Sequence, residues 1–158
     1  MDILCNENVD ELSILGLLAT DYVEWRFCQE GLNCEDFPSL KGRYHGLMEF
    51  RNCARQFELK HSDKLEMVKY NLCKRIEESD TESPAFLGFG ENLFFDQEVN
   101  WERILILLSV VAMMCLHFVR KENYYRAVRI LDLMLAFCDS CKILYWLQPE
   151  NVKEICKQ

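Results

Sequence analysis

The run from Ile104 to Val119, "ILILLSVVAMMCLHFV", limits the choices open to this chain more than any other stretch. Arg103 closes it on one side and Arg120 on the other, and it is shorter than the roughly 20 apolar residues that a membrane span requires. A helix that is apolar all round must instead be enclosed by other helices. The rest of the chain therefore has to supply amphipathic helices to wrap it. With 158 residues, half of them apolar, it is long enough to do so as a single domain spanning residues 1–158.

Helical spacing recurs along the chain, whereas the alternation expected of strands does not. Asn8 followed by Glu11 has the form of a capping box. Leu12, Leu15, Ala19, Val23 and Phe27 then recur at helical spacing until Gly31, which predicts a C-cap. The segment from Leu32 to Gly42 reads as a short connection. Leu47, Phe50, Ala54, Phe57 and His61 form one stripe of a second helix, with Glu49, Arg51, Asn52 and Lys60 on its other face.

A shorter third helix is predicted from Leu65 to Ile76, broken by "EESDTESP". Pro84 suits the first turn of a fourth, capped by Thr81 or Ser83. The apolar helix comes next, from about Val99 to Val119. "KENYYR" then turns the chain into a helix with Tyr124, Val128, Leu131, Leu135 and Cys138 inward, and Arg126, Arg129 and Asp132 outward. Pro149 opens a last short helix ending near Cys156. The expectation is an all-α bundle around a buried central helix.

Composition excludes several kinds of function. A net charge of -8, with basic residues interleaved among acids, argues against nucleic-acid binding, which needs clustered Lys and Arg. The nine cysteines are scattered in a chain too long for a disulfide miniprotein, and the N-terminus lacks a basic, apolar leader. A reducing, cytoplasmic setting is expected. The chain stops at "VKEICKQ", so no transmembrane anchor is expected either.

Cys138 and Cys141 form a single C-x-x-C without a second pair at zinc-finger spacing, so no metal is expected there. His45, His61 and His117 fall in no catalytic motif, and "FLGFGENL" matches no nucleotide fingerprint. Neither an enzyme nor a cofactor is indicated.

The mouth of the apolar helix is unusual. In "EVNWERILILL" an Asn, a Trp, a Glu and an Arg stand directly ahead of the greasiest run in the chain. "VNWERI" resembles the NWGR signature (the BH1 motif) of the Bcl-2 family of apoptosis regulators, and "FRNCARQFELKHSDKL" resembles that family's BH3 helix with the segment directly after it. "YWLQPENV" resembles its BH2 motif, and "LATDYVEWRFCQEG" its amphipathic first helix, BH4. The order of the segments matches the family over almost the whole chain.

This resemblance implies a Bcl-2-like helical bundle with a surface BH3-binding groove, occupied by helix-in-groove recognition. It implies an inhibitor of apoptosis that sequesters BH3 helices of Bim-, Bak- or Bax-like pro-apoptotic proteins, with Arg103 pairing the ligand Asp and Asn100 beside it. By the same carry-over the floor of the groove comprises Phe57, His61, Leu65, Val68, Phe94, Leu105, Ile106 and Val110. Trp101 is expected to anchor the helix start. Such a protein is expected in the cytoplasm, reaching mitochondria through its partners.

The chain departs from the pattern at two points. Glu102 stands where the family usually has Gly, so a bulky acid replaces a close backbone approach, and a narrow ligand range is expected. In the BH3-like helix the usual small residue and Asp read Ala54 and Arg55, which should make a poor death ligand and favours the survival side. The compact plan resembles viral members of the family. Without the resemblance, Arg103 reads as a solvated residue paired with Glu98 or Glu102. Two competing functions remain: a self-associating helical scaffold, such as a homodimer, with a non-BH3 partner, and a pro-apoptotic role in which the apolar hairpin permeabilises membranes.

Overall fold

The computed structural model describes residues 14–32 and 47–140. Among them lie six helices and no strand: α1 (Ile14–Gln29), α2 (Leu47–Lys60), α3 (Ser62–Ser79), α4 (Ser83–Leu93), α5 (Trp101–Arg120) and α6 (Tyr124–Ser140). The capping box at Asn8, the Leu32 to Gly42 connection, Cys141 and the helix after Pro149 lie wholly or mainly outside the described residues.

α5 is the axis of the molecule. At 20 residues it is longer than its apolar run and reaches membrane-spanning length, yet 78% of its apolar window is buried inside the protein. Ile104, Leu107, Val110, Val111, Ala112, Met114 and Cys115 have no exposed surface. α6, α3, α1 and α2 pack directly on α5, and α4 reaches the bundle mainly through α6. The close approach of α4 to α6 depends on Gly90, where an added Cβ would lie 2.8 Å from the Phe137 ring.

The helix ends follow local chemistry. At the end of α1, Gly31 takes φ +70°, its N–H donates to the Cys28 carbonyl and that of Leu32 to the Phe27 carbonyl, so the expected C-cap is a Schellman motif. The start of α4 differs from expectation. Its N-cap is Glu82, without a side-chain cap. Thr81 instead shares its hydroxyl with Ser79, and the Glu82 carboxylate accepts from Arg126 Nε at 3.2 Å.

α3 is longer than its apolar stripe predicts, because its first turn continues from α2 with little interruption. His61 N–H donates to the Phe57 carbonyl, and Leu65 N–H to that of His61. α6 buries Ala127, Ile130, Leu131, Met134, Phe137 and Cys138, a face turned from the expected one: Tyr124, Val128 and Leu135 are only half-buried. Arg126, expected to face water, lies over the Phe118 ring at 5.5 Å and pairs with Asp80 and Glu82.

Two polar seams join α1 to α2. Arg51, expected on the solvent face, reaches the buried carboxylate of Asp21 through Nε at 2.8 Å and Nη2 at 2.6 Å. Further along α2, Glu58 accepts from Tyr22 Oη at 2.9 Å and from Arg26 Nε and Nη2 at 3.2 and 2.8 Å, and also pairs with Arg55. Both partners of the Arg26–Glu58 pair are 5% exposed.

Candidate peptide-binding site

Asn100 begins α5 in an extended conformation and accepts the Arg103 N–H on Oδ1 at 2.9 Å, an N-cap that occupies the very residue expected as a polar partner beside Arg103. Trp101 is next, 3% exposed, as the expected anchor of the helix start. Glu102 is exposed in the first turn, where its charge complements the helix dipole. The side chain of Arg103 turns back toward the α4–α5 connection.

Its guanidinium is not vacant. Nη1 and Nη2 grip the two carboxylate oxygens of Asp96, the second at 3.1 Å, and Nη1 also donates to the Glu98 carbonyl at 2.7 Å. The Phe95 ring lies 5.9 Å from the guanidinium carbon. The Arg103 hydrogen bonds hold the Asp96 carboxyl down to about 2, and the same contact raises Arg103. Neither Glu98 nor Glu102 supplies the carboxylate expected of a merely solvated arginine; Glu98 contributes its backbone oxygen and Asp96 the ion pair.

The apolar candidates divide by exposure. Phe57 and His61 meet at a tilt, with ring centroids 4.5 Å apart, at the α2–α3 junction, and both are half-buried, as are Val68 and Ile106. These can offer surface to a ligand. Leu65, Phe94 and Leu105 are 4%, 8% and 7% exposed, and Val110 has no exposed surface. Phe94 packs on Phe137 with centroids 6.0 Å apart. Phe57, Val68 and Ile106 pack against the hydrophobic core, of which the buried candidates are part.

Two clefts lie elsewhere. One of about 450 Å3 opens where α1, α2 and α5 end and α3 begins, lined by Arg26, Arg55, Glu58, Met113 and Arg120 among others. The second, of about 400 Å3, lies against α3 and the end of α5, around Tyr70, Cys73 and His117. Neither contains a residue of the expected groove. The polar seam of Tyr22, Arg26 and Glu58 escaped sequence reasoning, because Glu58 lies 36 and 32 residues from Tyr22 and Arg26; the i,i+3 spacing of Arg55 and Glu58 is its local signal.

Comparison with known proteins supplies the family. No curated protein matches the chain significantly. The crystal structure of chicken BOK matches with a TM-score of 0.65, covering 90% of this chain and 92% of that one at 17% identity, a likeness of fold. The family model "Apoptosis regulator proteins, Bcl-2 family" matches residues 50–151, from α2 past the end of α6. Because that match takes in well over half of the sequence, the chain belongs to the Bcl-2 family of apoptosis regulators.

Proposed function

We propose that this protein suppresses cell death by capturing the BH3 helices of pro-apoptotic relatives, with Arg103 pairing the Asp of the incoming helix. The observation that carries the reading is the mouth of α5, where a guanidinium already grips a carboxylate with both Nη atoms at the start of a buried apolar helix. A bidentate Arg–carboxylate contact imposes geometry as well as charge. The half-buried Phe57, His61, Val68 and Ile106 supply apolar surface on the enclosing helices and on α5 itself. Glu102 is exposed one residue before the arginine, and the bulk of this acid narrows the set of ligands.

The survival role rests on α2. Phe50 and Ala54, on the apolar face of the BH3-like helix, are 1% and 0% exposed, and Arg55 is tied to Glu58. A helix with its apolar face buried and an arginine in place of the acid makes a poor ligand for another groove. Such a protein works in the cytoplasm and meets mitochondria through its partners.

Calorimetric titration with a panel of synthetic BH3 peptides tests the reading. Binding at micromolar concentration or tighter is expected for at least one, and failure of every peptide would remove the function. Arg103→Ala should weaken the binding, and an unchanged affinity would refute the role given to the arginine.

The length of α5 favours a second reading, in which α5 and α6 enter a bilayer and permeabilise it. Release of dye from liposomes would establish that role.

A further inference from the structure

The α4–α5 turn holds more order than a simple connection needs. α4 ends with the Phe94 N–H on the Gly90 carbonyl, and the Gln97 N–H closes back on the Phe94 carbonyl at 2.9 Å. Gln97 takes φ +61°, a left-handed conformation that a side chain other than Gly adopts at a cost. Asp96 Oδ1 accepts the Glu98 N–H at 3.0 Å, an Asx turn. The carboxylate is therefore fixed by its own turn before it meets Arg103.

Arg103 is fixed from the other side. Its backbone N–H belongs to the Asn100 cap, and the Glu98 carbonyl takes one Nη1 proton. The guanidinium presents both Nη atoms to a single carboxylate, and Asp96 fills that position. A second carboxylate cannot take the same position while Asp96 remains. Yet the pair lies at the surface, with side chains 20% and 35% exposed, where water and competing ions reach it.

We propose that Asp96 is a built-in competitor for the ligand's acid, so that the α4–α5 turn sets how strongly the acid of an incoming helix counts in its capture. This rests on the BH3-binding reading above. Capture exchanges one carboxylate for another on the same guanidinium, so the contact that Asp96 gives up offsets part of what the ligand's Asp contributes. Selection on the native protein then shifts toward the ligand's apolar anchors. With Asp96 neutralised, the ligand's acid contributes in full.

Asp96→Asn is the discriminating substitution, because Asn keeps an Oδ1 acceptor for the Glu98 N–H and removes the charge. Full-length wild-type and Asp96→Asn proteins are titrated calorimetrically with one synthetic BH3 peptide and with its Asp→Asn version. The acidic peptide should bind the variant about two- to fivefold more tightly than wild type, the scale expected for loss of an exposed competing pair. The neutral peptide should bind both proteins equally. In an Arg103→Ala background the Asp96→Asn effect should vanish. Equal affinity of wild type and variant for the acidic peptide overturns the competitor role while leaving the BH3 reading intact. No binding to either protein overturns both.

Discussion

Arg26 and Arg103 each sit in a carboxylate cradle with Nη contacts, but the two sites differ in their access to water. At the α1–α2 seam, Arg26 and Glu58 are both 5% exposed and share the site with Tyr22 and Arg55. At the mouth of α5, Arg103 and Asp96 are 20% and 35% exposed. Burial turns the first into a fixed part of the core, because breaking it would leave an uncompensated charge away from water. The second can exchange partners, since water and salt compensate each member when they separate. The same chemistry thus yields a structural rivet in one place and a replaceable contact in the other.

The surroundings reinforce the contrast. Burial, with the Glu58 charge beside it, pushes the Tyr22 hydroxyl far above its usual range, so it stays a proton donor to Glu58 at any ordinary pH. Desolvation opposes the charge of Arg26, while its bonds to Glu58 and Glu30 restore it, and the balance lies above the ordinary value. The Asp96–Arg103 pair has only its own turn and the solvent around it.

The largest expected effect tests the buried seam. Glu58→Ala leaves Arg26 enclosed without its main partner and should destabilise the fold by about 3–5 kcal/mol in chemical denaturation. A loss below about 1 kcal/mol would show that water reaches the seam and would erase the contrast. Tyr22→Phe removes one hydrogen bond to a buried carboxylate and should lower stability by about 1.5–3 kcal/mol by the same measurement. Asp96→Asn should leave the denaturation midpoint within error of wild type at neutral pH. A clear shift would mean that the α5 mouth is also part of the scaffold.

The smallest effect concerns acid. The folded-state carboxyl of Asp96 lies at about 2, below the ordinary value near 4, so its contribution is fully present above that ordinary value and is lost as pH falls toward about 2. Over that window, any small difference between the stability curves of wild type and Asp96→Asn should close. Curves that stay parallel would exclude the pair as a source of acid sensitivity.

Features decided by neighbouring residues are legible in the sequence. The Gly31 cap and the Pro84 opening of α4 depend on contacts within a few positions along the chain. α6 defeats a reading by periodicity for a definable reason: residues 127, 128, 130, 131, 133, 134, 135, 137 and 138 are all apolar, an arc too broad to choose one face. Packing against both α5 and α4 selects Ala127, Ile130, Met134 and Phe137 for burial. Arg51 and Arg126 read as solvent residues because Asp21 and Asp80 lie 30 and 46 positions away.

The candidate site shows the same division. The motif around Arg103 singles out the residue, whereas the side chain of Asn100, expected as a polar partner beside it, is taken up by capping α5. The capture of its side chain by Asp96, seven residues earlier, requires the turn at Gln97 to fold back.

The amino-acid order by itself determined the element type, the enclosure of α5 and the family, since hydrophobic spacing, caps and motifs are short-range properties. Tertiary structure alone decided which charges became permanent and which stayed exchangeable. An ion pair's strength depends on the water left around it, and that is set only when distant helices close over one arginine and leave another at the rim.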